Sequence, residues 1–262
     1  MAIHNEYVFE NEICAELKSR GWLHSSSDAG YDRELALFPA DAFAWLEESQ
    51  PEQWKKIVKP GDSESHQTKA KNDLLHRLMR TLDANLSNGG GTLEMLRKGF
   101  KASPAKFEMC QFKPADGLNP ETVSRYSKNR LRVVQQVHYS NKRRPDGKLH
   151  NFSIDLVLFL NGIPVATVEL KTDHTQSIHE AVAQYKQDRE PKGEPLLSFG
   201  HRALVHFAMS NYEVQMTTKL AGKDTYFLPF TWVATEGQET HLLRTPRQLR
   251  TCGSRSGKKT LG

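Results

Sequence analysis

The sequence predicts an α/β fold, a covered β-sheet with helices packed on it, from three observations. Residues 7–20 place Phe9, Ile13 and Leu17 at four-residue spacing, one apolar face of a helix. The centre then changes period: residues 131–139, LRVVQQVHY, are β-branched and strand-like. Finally, two runs apolar on both faces, 153–160 and 163–171, flank Asn161-Gly162. Asn-Gly between apolar runs is the strongest short-range hairpin signal, and strands apolar on both faces belong inside a covered sheet.

The remaining elements follow in order. Gly21 stops the first helix before Trp22. Residues 41–48 read as a helix after Pro39, and 51–58 as a short second one. Residues 61–73, GDSESHQTKAKND, are polar and read as a surface loop. A helix over 72–86 carries Leu75, Leu78, Met79 and Leu82 on one face and runs into Asn88-Gly89-Gly90-Gly91. No Lys-Ser/Thr pair follows those glycines, so they read as a helix cap and turn, not a phosphate cradle. Residues 176–189 form a helical stretch with Ile178, Ala181, Val182 and Tyr185 on one side. Residues 203–209 read as a buried strand with 212–218 pairing nearby, and 231–262 as a polar, basic tail or linker.

Composition bounds the function. The chain has 262 residues, enough for one substantial domain with a core. No window approaches the roughly 18 uncharged apolar residues of a spanning helix, so no membrane role is expected. The N-terminus, MAIHNEYVFENEIC, carries acids where a signal peptide would be basic and then apolar. Cys14, Cys110 and Cys252 are widely spaced and form neither a disulfide framework nor a metal-binding pair, which fits a reducing cytoplasm. A net charge of +5 allows a polyanionic partner without demanding one.

One constellation resists a purely structural account. Asp155 interrupts an apolar strand, and Glu169 and Lys171 end the partner strand, on one face because strand side chains alternate. A three-residue turn sets Asp155 opposite Glu169. A two-residue turn pairs it with Val168 and puts the acids on opposite faces, unless a bulge intervenes. Brought together, two carboxylates and an ammonium are the parts of a Mg2+ site with a water-orienting group, as phosphodiester hydrolysis requires. The plainer alternative is an Asp–Lys ion pair at the sheet rim.

These residues, Asp155…Glu169-Leu170-Lys171, resemble the active-site core of the PD-(D/E)xK nuclease superfamily, although Ile154 stands where its Pro would. The wider text SIDLVLFLNGIPVATVELKT, followed by AVAQYKQDR, ALVHFAMSN, MTTKL and TYFLPF, is similar to the N-terminal nuclease region of the R subunit of type I restriction-modification enzymes. YDRELALFPADAFAWLEESQPE upstream resembles the same family, so the likeness spans about residues 5–230.

The resemblance implies a mixed central β-sheet flanked by helices, restriction-endonuclease-like, with a nuclease domain over 1–230 and its core at about 130–220. It implies Mg2+-dependent cleavage of DNA without intrinsic sequence specificity, and assembly with methyltransferase and specificity subunits. Asp155 and Glu169 would be metal ligands, and Lys171 would orient or activate the attacking water. Glu10, on the first helix ahead of Gly21-Trp22, either borders the cleft or faces solvent. Many relatives carry Gln-x-x-x-Tyr on the helix after the catalytic strand. Here Tyr185 is present, but Ala181 holds the Gln position and Gln184 is adjacent, so the resemblance counts Tyr185 with the catalytic residues, where it either contacts DNA or packs, and makes Gln184 a second candidate for DNA contact. Lys142, Arg143, Arg144 and Lys148 form a basic loop before the Asp155 strand, either a phosphate-contacting surface or a solvated turn. Such subunits continue into an ATP-driven motor, yet no GxxxxGK[ST] loop occurs here, so ATP hydrolysis by these residues is not expected. A module that keeps the fold but only binds DNA or docks partner subunits is the alternative reading.

Overall fold

The computed structural model describes residues 2–172 and 178–230. The tail expected at 231–262 lies outside the described residues. In chain order the elements are α1 (Ala2–Ser19), β1 (Leu23–Ser25), α2 (Pro39–Ser49), α3 (Pro51–Ile57), α4 (Glu64–Leu82), α5 (Thr92–Lys98), β2 (Phe100–Ala102), β3 (Ala105–Phe107), α6 (Pro120–Ser127), β4 (Leu131–His138), β5 (Ser153–Leu160), β6 (Ile163–Leu170), α7 (Ile178–Gln187), β7 (Val205–Met209), β8 (Val214–Thr217) and β9 (Leu228–Pro229).

A seven-stranded mixed sheet runs β1-β4-β5-β6-β7-β8-β9, with β2 and β3 forming a separate hairpin. The β1–β4 and β6–β7 pairs are parallel and the other pairs of the sheet antiparallel. A parallel pair needs a long crossover, and α7 supplies it between β6 and β7. The sequence-based expectation of a mixed sheet flanked by helices is met.

Both faces of the central strands are covered, which is why their sequences are apolar throughout. On one face α1 buries Phe9, Cys14 and Leu17 against Val133, Leu156, Val168 and Leu170. On the other, Val134, Val157 and Phe159 pack with Tyr185 of α7, Leu196, Leu197 and Phe38. A third cluster, formed by α2–α5 and the β2–β3 hairpin, closes over Ile163 at the turn end of β6.

That turn is the two-residue Asn161-Gly162, with φ of 50° and 80°, the doubly left-handed pair that matches strand twist. Asn161 is buried and its amide donates to Met109 O at 2.8 Å. Gly162 is required by space as well as by φ: a Cβ there would stand 2.5 Å from Phe38 O.

The segment 61–73, expected as a loop, is helical from Glu64 onward. Ser63 caps α4 by accepting the His66 N–H, and the first turns project polar side chains to solvent, so the apolar stripe begins only at Leu74. The same helix ends at Leu82 and not at 86. The helix expected at 176–189 is described as Ile178–Gln187, with 173–177 outside the described residues.

Candidate active site

The register of the β5–β6 hairpin decides whether the two acids meet. Leu160 faces Ile163 and Phe159 faces Pro164, as a two-residue turn dictates, but Leu158 faces Ala166. Val165 is therefore a bulge residue, beside a proline that has no N–H to donate. Beyond it the pairs are Val157↔Thr167 and Leu156↔Val168, and the next step along this register sets Asp155 across from Glu169. The bulge thus does what a longer turn would have done.

Asp155 is half-buried. Its Oδ2 accepts the Leu170 N–H at 2.8 Å, and its Oδ1 accepts from Gln136 Nε2 at 3.3 Å. Glu169 is fully buried, and its Oε1 accepts from Arg189 Nε at 2.7 Å. Arg189 Nη2 also donates to Ser153 O at 2.7 Å, which holds the guanidinium between β5 and β6. The second oxygen of Glu169, Oε2, is buried with no hydrogen-bond partner among the described residues. Burial, and then the neighbouring Asp155 carboxylate, push Glu169 up to about 8 against the pull of Arg189 and Lys171. Glu169 in turn raises Arg189 above its ordinary value. Arg189 satisfies one oxygen of Glu169, and Oε2 is the oxygen of the pair left without a donor among the described residues.

Lys171 follows at the strand end, its Nζ 3.2 Å from Glu6 Oε1 of α1. Glu10, one turn further along α1, is buried and turned inward: Gln136 Nε2 donates to its Oε2 at 3.2 Å. Burial, reinforced by Asp155 and opposed by the Gln136 bond, pushes Glu10 up to about 7. Glu6, Tyr7, Glu10, Gln136, Asp155 and Leu170 line an open cleft of about 390 Å3. Of the alternatives for Glu10, the structure places it at the cleft.

Tyr185 requires a correction to the expectation that it acts in catalysis. It is fully buried, shares a 2.8 Å hydrogen bond with Thr167 Oγ1, and packs against His206 and Phe227. A side chain with no accessible surface cannot touch a nucleic acid. Gln184 lies one residue earlier, partly exposed on α7. Lys142, Arg143, Arg144 and Lys148 are exposed, in a turn closed by Arg144 N–H to Lys148 O at 2.8 Å. Within it Arg143 Nη1 donates to Gly147 O at 2.8 Å, Arg144 pairs with Asp146 at 3.2 Å, and Lys142 Nζ lies 3.4 Å from Glu194.

Sequence reasoning missed Arg189 and Gln136. Each carried a faint signal: Arg189 stands four residues after Tyr185, just past the end of α7, and Gln136 interrupts an apolar strand.

Among the described residues no group of three or more His, Cys, Asp and Glu side chains is arranged to hold a metal ion. The donor set nevertheless suits Mg2+, which is held by one or two carboxylates and completes its shell with water and substrate phosphate. Asp155 and the unpartnered oxygen of Glu169 are such a pair. Fold and site together define a nuclease-like α/β domain, with two acids and a lysine borne on adjacent strands of a mixed sheet. The family described as Type I restriction enzyme R protein N terminus matches residues 4–225, and the chain belongs to it. None of the curated proteins matches the chain. No described helix is long and apolar enough to cross a membrane.

Proposed function

We propose that this domain is a Mg2+-dependent DNA endonuclease, the cutting module of a type I restriction enzyme R subunit, hydrolysing phosphodiester bonds without sequence preference of its own. The observation that carries this reading is the bulged hairpin. It sets Asp155 across from Glu169 and leaves one buried carboxylate oxygen of Glu169 without a partner among the described residues. Asp155 and Glu169 would hold the ion. When bound, the ion would supply Lewis-acid polarisation of a phosphate oxygen and a more acidic water.

The chain's own residues do the rest. Lys171 places an ammonium beside the acids, where it orients the attacking water and offsets negative charge developing on the phosphate. Glu10, pushed up to about 7, is the cleft carboxylate suited to exchanging a proton at neutral pH. The loop carrying Lys142, Arg143, Arg144 and Lys148 contacts phosphates, which fixes the duplex without reading its sequence. Sequence choice then falls to a specificity subunit, with a methyltransferase subunit in the same cytoplasmic complex.

The test is nicking of supercoiled plasmid by the full chain with Mg2+ or Mn2+. Asp155→Ala and Lys171→Ala are expected to abolish nicking with the circular-dichroism spectrum unchanged. Equal cutting by both variants overturns the assignment.

One observation favours a second reading, a module that binds DNA or docks partner subunits without cutting: Lys171 is engaged by Glu6 and not free in the cleft. That reading predicts DNA binding indifferent to divalent ions and to Asp155→Ala.

A further inference from the structure

Gln136 is the least expected residue of the sheet. Within β4 the pairs Gln135↔Leu156 and Val137↔Ile154 are regular, yet Gln136 between them has φ of 51°, a left-handed conformation inside a strand. No glycine relieves it, and a long side chain there is strained. The irregularity changes the facing of the strand. Alternation should send Val134 and Val137 to opposite faces, but both lie in the cluster packed with Tyr185, while Val133 lies in the cluster under α1. The displaced side chain is Gln136, and it reaches α1.

What it does there is specific. Its one amide nitrogen donates both to Glu10, at 3.2 Å from Oε2, and to Asp155, at 3.3 Å from Oδ1. Its amide oxygen accepts from Ser153 Oγ at 3.2 Å, which fixes the orientation of the group so that the NH2 faces the acids. An amide has two N–H bonds, and here each serves one carboxylate. Two anions that would repel are thereby held at a set spacing, one on a helix and one on a strand.

We infer that Gln136 is a positioning residue of the metal centre: its strained backbone delivers an amide that fixes the Asp155 carboxylate and couples Glu10 to it. The inference rests on the reading of Asp155 as a ligand under the proposed function. The Leu170 N–H orients one oxygen of Asp155 and Gln136 the other, so the ligand is set before any ion arrives. Partners of this kind are worth about 10- to 100-fold in metal affinity.

The experiment is Mn2+ binding to the full chain, followed by the electron paramagnetic resonance of free Mn2+, for wild type, Gln136→Gly, Gln136→Asn and Asp155→Ala. Gly and Asn both accept a left-handed backbone, so either keeps the strand, but neither carries an amide long enough to bridge the acids. The expected result is Mn2+ affinity at least about tenfold weaker in both variants, with secondary structure unchanged. Wild-type affinity in a folded Gly or Asn variant, with binding still abolished in Asp155→Ala, overturns the role of Gln136 and leaves the metal site standing. Binding that is absent from the wild type, or unaffected by Asp155→Ala, overturns the site reading and this inference with it.

Discussion

Oδ2 of Asp155 accepts the backbone N–H of Leu170 at 2.8 Å, tying the acid of β5 to the residue that directly follows Glu169. The bond crosses the hairpin on the far side of the Val165 bulge from the turn. It uses one oxygen of Asp155, as Arg189 uses one oxygen of Glu169, so each acid is oriented by a donor from the protein. Orientation of this kind fixes a ligand in place at the expense of burying charge, and the energetic consequences are measurable.

Arg189→Met should destabilise the fold by about 3 kcal/mol, because it strands a fully buried carboxylate without its guanidinium. The double variant Arg189→Met, Glu169→Leu should recover most of that loss, since an apolar pair can replace a buried ion pair. Urea unfolding of wild type, both single variants and the double variant checks both statements.

At the turn, Gly162→Ala should lose more than about 1 kcal/mol, since φ is 80° and the new Cβ meets Phe38 O. The change lies at the opposite end of the hairpin from the acids. Affinity for Mn2+ in the variant that remains folded should therefore match wild type, as calorimetric titration would show.

His206 contributes an acid-side loss of stability, opposed over the same range by Glu10 and Glu169, whose raised values make the folded chain take up protons. The imidazole is fully buried, and burial lowers it from 6.5 to about 4. The unfolded chain therefore binds a proton between those values that the folded chain refuses. The His206 contribution is intact above pH 6.5 and is lost as pH falls toward 4, by roughly 2 kcal/mol between pH 7 and 5. His206→Gln should remove that portion of the slope in unfolding curves taken across the range. An unchanged slope would show that His206 titrates normally.

For DNA, replacing Lys142, Arg143, Arg144 and Lys148 by Ala, one at a time, should weaken binding alike across unrelated sequences. Removing a cation that sits on a phosphate should reduce the slope of log K against log salt by about 1. Fluorescence anisotropy at several salt concentrations measures it, and a sequence-dependent weakening would argue against a phosphate-binding loop.

The hairpin and its acids were legible because Asn161-Gly162 and the apolar runs are local signals, as was the α1 stripe of Phe9, Ile13 and Leu17. The register was not. A two-residue turn alone pairs Asp155 with Val168, and the bulge at Val165, beside Pro164, shifts the register so that Asp155 falls across from Glu169. Nothing local distinguishes a bulge from a longer turn, so both registers suited the sequence. Gln136 was hidden for a related reason: its function depends on a left-handed backbone that strand periodicity cannot express. Arg189 was hidden by distance, twenty residues from the Glu169 it neutralises. Tyr185 misled in the other direction, because a tyrosine one residue from a Gln suits a DNA-contacting helix as well as it suits a core. The first turns of α4 went unseen because most of their residues face water, so little apolar period shows before Ala70 and Leu74.

Everything proposed for the cleft depends on Asp155 and Glu169 forming one cation site, and a crystal of the full chain soaked in Mn2+ puts that to the proof. The expected outcome is anomalous density for an ion between the Asp155 carboxylate and Oε2 of Glu169, with Arg189 still on Oε1. Mn2+ found only elsewhere, with Glu169 held by Arg189 alone, would refute the shared site.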